Sequence, residues 1–462
     1  MSEERREVEE GMRALAAWAV GVSFEDLPAD VARRAALVIA DDMAAMVAAR
    51  DEPELRGLHD SLLAQSGPAE ATVFRGGRPR ADRASAAVAN GTAANWCELD
   101  EGYRKVTCHA GLYSVPAILA EAEAEGLTVE EVLRAVTVAY EIGGRFARTW
   151  QFPRVTVHPH SAWSTVGAAA GAGLARGLSE AEFLDALTSA STLTMASPFN
   201  HAMKGAMIEN AWAGVAAWAG FRCVDWARCG IGGLADSPYD VFADNLGAGT
   251  HAGELTENLG GDWAVSEGYH KIFSCCQYAH STVEATLSNV VSLPAGKGPE
   301  NIEKVEVETH RMGMKLDNRA PETTLAARFS IPQIVAATCV FGHAGADAFA
   351  APTLHMPEIR RIRERTEMRL FEPEMPPPHD RPARVTITLD DGQTVSDQCL
   401  SAQGGPDHPF PPEVILEKGA TITAGVYPDF APVLASLYAL DASVLERRWD
   451  DLVGEMVGGT PA

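Results

Sequence analysis

The chain has 462 residues, 46% of them apolar and 22% charged, with a formal net charge of −25. This balance supports two or three globular domains with a sizeable core, and the lack of any Lys/Arg block excludes a nucleic-acid footprint. The excess of acid favours solubility and repels acidic ligands, so an anion must be held by a few local cations.

Residues 1–22 read as a charged amphipathic helix without the basic start, apolar stretch and cleavage site of a signal peptide. No run of 18 apolar residues occurs, so no membrane span is expected. Val31, Ala35, Val38, Met43 and Met46 give residues 30–50 a helical period. Thr128 with Glu131, and Ser179 with Glu182, have capping-box spacing and open two further helices. The Ala/Gly-rich segments 168–176 and 211–221 suit close helix approach and are expected at the centre of a bundle.

After about residue 270 the pattern changes. Residues 302–309 alternate as a half-buried strand does, and 329–341 read as helix. A mixed segment follows near 357–371, then a linker at 376–378. Residues 384–389, Asp391-Gly392 and Thr394-Val395 predict a hairpin. Segments 428–440 and 443–457 are helical again. The expected fold is mainly α: an all-α domain from 1–268, completed by C-terminal helices in 401–462, with a smaller α+β domain at 269–400.

Eight cysteines include the adjacent pair Cys275–Cys276 but no C-x-x-C, which argues against a zinc ribbon or dithiol site. A cytoplasmic chain with reduced thiols is expected. Walker A, dinucleotide and G-x-S-x-G patterns are missing from convincing contexts, which disfavours nucleotide and nicotinamide chemistry.

Four clusters can carry chemistry. The first packs Glu98, Asp100, Glu101, Arg104 and His109 between apolar flanks, where carboxyl groups acquire shifted pKa values. A solvated turn is the plainer alternative. The second is His158-Pro159-His160-Ser161, before a Gly/Ala-rich helix whose N-terminus would attract a carboxylate. His-x-His also suits a metal, but no clear third ligand is near in sequence, and a core or capping histidine pair is equally in view. The third is Lys204, just before an expected helix, where a cation opposes the helix dipole unless it meets an anion or is simply exposed. The fourth runs from Tyr269 through Lys271, Cys275, Cys276 and Tyr278 to His280, at the expected domain junction. His280 alone reads as a helix-capping histidine.

Together these clusters resemble the MmgE/PrpD family, which includes 2-methylcitrate dehydratases, cis-aconitate decarboxylases and iminodisuccinate epimerase. The family's H-x-x-D-F-D-D-T stretch corresponds to residues 95–102 and its following His-Pro to His109-Ala110. Its H-P-T-G run corresponds to 158–161, its lysine before a Gly/Ala helix to Lys204, and its K-x-y-P-C-C-R-Y-T-H run to 271–280. Departures are Glu98 for the first Asp, Gly102 for Thr, Ala110 for Pro, and Gln333 where many members carry Tyr.

The resemblance implies an all-α domain plus an α+β domain with the site between them, usually in a homodimer, and no cofactor or metal. It implies proton abstraction α to a carboxylate of a small polycarboxylate, with Lys271 or His158 as base and His109, with Glu98 or Asp100, as acid. Lys204, Arg104, His160, His280, Tyr269 and Gln333 are the expected substrate contacts. A lyase comes first and an epimerase second. A non-catalytic ligand-binding relative and a metal-dependent hydrolase using His158 and His160 are the other classes.

Overall fold

The computed structural model describes residues 2–153 and 156–458. The chain opens with the helix Glu3–Gly21, capped by Ser2, which buries Val8, Met12, Leu15, Ala16 and Ala19 along one stripe. Both capping boxes, Thr128 with Glu131 and Ser179 with Glu182, start helices. At the centre, the helices Arg83–Trp96, Ala110–Glu125, Ser164–Ala175 and Trp212–Arg228 pack on one another. Every residue of Ser164–Ala175 is buried. Its contacts require glycine: a Cβ at Gly167 would stand 2.7 Å from Tyr113 Cβ, and one at Gly220 would stand 2.7 Å from Ala168 Cβ.

The C-terminal segments return to this bundle. Tyr427, Phe430, Leu434, Trp449 and Leu452 share one core with Val8, Ala40, Ile118 and Val138. The expected helix at 443–457 is broken into Ala442–Leu445 and Trp449–Met456. The break is paired: Val129 N–H donates to Arg447 O, and Trp449 N–H to Leu127 O. Among the described residues no helix is long and apolar enough to cross a membrane.

The smaller domain is a four-stranded sheet backed by helices. Its strand order is Thr394–Cys399, Ala383–Leu389, Ile302–Thr309, Thr366–Leu370. The first three strands are antiparallel and the last is parallel to its neighbour. Val305, Val307, Val385 and Ile387 form a core with Val283, Ile334 and Val335 from the helices His280–Val291 and Ile331–Phe341. The mixed segment near 357–371 resolves into the helix Pro357–Glu364 and the parallel edge strand, whose Glu367 and Arg369 obscure its strand character.

Two devices pin the smaller domain to the bundle. Gly102–Tyr103 and Gly268–Tyr269 form a short antiparallel ladder. Lys418, on the helix Pro412–Thr423, donates to Asp41 Oδ1 (2.5 Å), Leu99 O (2.6 Å) and Lys271 O (2.8 Å). The acidic segment and the lysine segment are thereby held side by side.

Candidate active site

The helix Arg83–Trp96 ends at Cys97, and Glu98 then turns the chain with φ 52°. A non-glycine residue there is strained by about 1 kcal/mol or more, the kind of strain that concentrates at functional sites. The turn brings Glu98 Oε2 and Asp100 Oδ1 to 3.4 and 3.1 Å from Lys271 Nζ. All three side chains are buried. Burial disfavours the Lys271 charge, but Asp100 and Glu98 override it and hold the ammonium well above its ordinary range. Asp100, despite burial, is pulled down to about 2 by Lys271 and His109. Glu98 goes the other way: burial raises it, Lys271 offsets only part, and its Oε1 has no hydrogen-bond partner among the described residues. The group is therefore an ammonium between one carboxyl held low, Asp100, and one held above its ordinary value, Glu98.

Asp100 Oδ2 lies 2.5 Å from His109 Nδ1. An ionised Asp100 can only accept, so Nδ1 carries a hydrogen, and in the neutral ring Nε2 is the nitrogen with the lone pair. Tyr269 Oη, 3.3 Å from Nε2, donates to it. Burial raises the Tyr269 pKa and keeps the hydroxyl protonated. This tautomer is assigned from the hydrogen-bond network.

Pro159–Ala162 is a short helical turn, capped by His158 Nδ1, which accepts from His160 N–H at 3.2 Å. His160 Nδ1 meets Tyr113 Oη at 3.0 Å. Both Nε2 atoms face Glu209 Oε1, at 3.5 and 3.6 Å. Burial pushes His158 down to about 3, His160 well below its ordinary value and Glu209 well above. The trio has metal-like spacing, its ligand atoms lying within 4.8 Å of one another. Its hydrogen bonding does not suit a metal. A neutral His158 whose Nδ1 accepts a backbone N–H must carry its hydrogen on Nε2, whereas a metal-bound imidazole donates from its other nitrogen.

These groups surround a narrow cavity of about 40 Å³ between the bundle and the smaller domain. Glu98, His109, His158, His160 and Tyr269 line it, with Tyr278 and Arg381 on the opposite domain.

Residues 13–250 match the family model described as the MmgE/PrpD N-terminal domain, and 273–431 match that of the MmgE/PrpD C-terminal domain. The chain belongs to the MmgE/PrpD family. A cis-aconitate decarboxylase of Aspergillus terreus is 24% identical over 441 residues, covering 88% of each chain. The cis-aconitate decarboxylase-like protein oryM of Aspergillus oryzae is 23% identical over 442 residues, covering 88% of this chain and 89% of its own.

Several MmgE/PrpD motif positions lie away from the cavity wall. Lys204 does not abut the Ala-rich helix, which starts only at Trp212. It ends the short helix Asn200–Lys204, with Gly205 at φ 72° as C-cap, so its charge suits the dipole, and it is exposed. Arg104 pairs with Asp380 and donates to Pro378 O (3.2 Å), tying the two domains together. His280 Nε2 donates to Cys275 O at 3.2 Å, and Gln333 Oε1 accepts from Arg363 at 2.6 Å in the core of the smaller domain. The expectation of Lys271 as a neutral base is also corrected, because two carboxyl groups keep it charged. In His158, Nδ1 accepts the His160 N–H, so a neutral ring there presents an N–H donor rather than a lone pair at Nε2. Glu209 and Arg381 were not among the sequence candidates. An acid set between Met207-Ile208 and an Ala-rich helix was the one local signal for Glu209.

The absence of the usual Thr at position 102 has a steric cause. A Cβ on Gly102 would overlap the Tyr269 phenol ring, which fills that space. Gly102→Thr is expected to cost about 1–3 kcal/mol through overpacking. In a Tyr269→Ala background Gly102→Thr should cost much less, read from thermal melts of both single variants and the double. An equal cost in both backgrounds would refute the account.

Proposed function

We propose that this chain is a lyase that removes a proton α to a carboxylate of a small di- or tricarboxylic acid, using side chains alone. The family and its relatives support a dehydratase- or decarboxylase-type lyase in general. The observation that carries the finer reading is the Asp100–His109 pair at the cavity, beside the buried Glu98 carboxyl whose pKa is raised.

In this reading His109 Nε2 takes the α-proton, and Asp100 stabilises the imidazolium that forms. Tyr269 Oη and the His158 Nε2–H donate to the enediolate charge as it develops. For dehydration, Glu98 gives its proton to the departing hydroxyl, which leaves as water. Decarboxylation replaces the proton abstraction: the C–CO2 bond pair passes to carbon as CO2 leaves, and one proton is delivered to that carbon from a cavity donor, Tyr269 Oη–H or Glu98.

Epimerisation is the second reading. It shares the first step, and it is favoured by the cavity holding more than one proton donor, Glu98 and Tyr269. Incubation in D2O with di-, tri- and 2-hydroxycarboxylates, cis-aconitate first, followed by NMR, is expected to show deuterium at the α-carbon. Released CO2, an alkene product or a recovered diastereomer separates the three outcomes. No exchange and no turnover across the panel would sink both readings.

A further inference from the structure

We propose that Arg381 anchors a substrate carboxylate and so makes a second carboxylate a requirement for tight binding; this rests on the polycarboxylate reading above. A chain of net −25 must supply a local cation to an anionic ligand, and the cations near this cavity are nearly all engaged. Lys271 is wholly buried against Asp100 and Glu98. Lys418 is taken by Asp41 and two carbonyls. Arg104 is paired with Asp380, and Lys204 is exposed outside the cavity. Among the described residues, Arg381 is the only lysine or arginine lining the wall.

Arg381 is also held ready. Its Cζ sits 4.9 Å from the centre of the Tyr278 ring, and Nη1 donates to Gln277 Oε1. Tyr278 Oη is in turn fixed by Thr107 Oγ1 at 2.9 Å. The nearest carboxylate to the guanidinium, Asp380, is 3.8 Å from Nε, beyond hydrogen-bond distance, and is already bonded to Arg104. An arginine positioned by an aromatic face and an amide, but lacking a carboxylate partner, presents a planar fork that fits a carboxylate. It comes from the smaller domain, whereas His109 and Glu98 come from the bundle. An acid held by one carboxylate at Arg381 directs the rest of its chain toward His109. A monocarboxylic acid can satisfy Arg381 or present an activated α-carbon to His109, but not both.

The test is calorimetric titration of the full chain and of Arg381→Ala and Arg381→Lys with tricarballylate, glutarate and butyrate. The intact protein should bind tricarballylate and glutarate more tightly than butyrate. Arg381→Ala should weaken both by about 10- to 100-fold, the range for a charge-assisted pair, and weaken butyrate, which can shift to the remaining donors, by clearly less. Arg381→Lys should recover only part, because an ammonium lacks the fork. Millimolar guanidinium should restore some binding to Arg381→Ala. Equal losses for all three acids would overturn the proposal, since a collapsed Gln277–Tyr278 wall does the same. So would unchanged tricarballylate affinity in Arg381→Ala. If the intact protein binds none of the three, the polycarboxylate reading itself falls.

Discussion

Lys271→Met is expected to destabilise the protein by about 3–5 kcal/mol, the usual penalty for removing one partner of a buried ion pair. Methionine keeps most of the apolar stem, so lost volume is a minor contribution. What remains is an ionised Asp100 with no exposure and only His109 as partner. The compensating change is specific. Asp100→Asn should recover much of the loss in Lys271→Met, because Asp100 is the ionised member. Glu98→Gln should recover less, because burial already raises the Glu98 carboxyl whereas Asp100 is held low. The pH dependence follows from the same assignment. In the intact protein the depressed Asp100 contributes stability above its unfolded pKa and loses it only as pH falls toward about 2. Without Lys271 the desolvated carboxyl is raised instead, so the folded state takes up protons more readily than the unfolded one. The penalty should then shrink as pH falls and the carboxyl takes up its proton. Denaturant or thermal unfolding of the three variants reads this directly. A penalty that grows with acidity, or stronger rescue by Glu98→Gln, would reverse the charge assignment.

The parts of this molecule visible in sequence are those set by neighbours close along the chain. Capping boxes, the Asp391-Gly392 hairpin and the Ala/Gly helices depend on residues within one or two turns, and the structure contains each of them. The acidic, histidine and lysine segments could be named because their residue types are unusual in apolar surroundings. Their titration states could not. Whether Lys271 is a base or a fixed cation depends on Glu98 and Asp100, more than 170 residues away in sequence. Glu209 acquires meaning only from His158 and His160 about fifty residues earlier. Arg381 follows a proline-rich connection whose composition says only that the chain is neither helix nor strand, and its place against Tyr278 is a tertiary fact. Lys204 is different, because the local signal was present: Lys-Gly is a common helix ending, and Gly205 caps a short helix there.

His109→Gln is expected to lower α-proton exchange by about 10²- to 10⁴-fold, the range for a general base. Asp100→Asn should lose nearly as much while remaining folded, and the reason is tautomeric. An amide at position 100 can donate its Nδ2–H to His109 Nδ1, which forces the imidazole hydrogen onto Nε2 and removes the lone pair from the cavity. The same substitution that relieves Lys271→Met in unfolding therefore disables the base. Stability and activity separate at the two oxygens of Asp100, Oδ1 facing Lys271 and Oδ2 facing His109, which a purely structural carboxylate would not produce. Because the two residues act as one unit, the double variant should be little worse than either alone. Exchange rates of the two single variants and the double variant in D2O, with melting curves to verify folding, complete the cycle. Additive losses would mean that Asp100 and His109 act separately. A larger loss from His158→Gln than from His109→Gln would move the base across the cavity to the histidine whose Nδ1 is now spent on the backbone of His160.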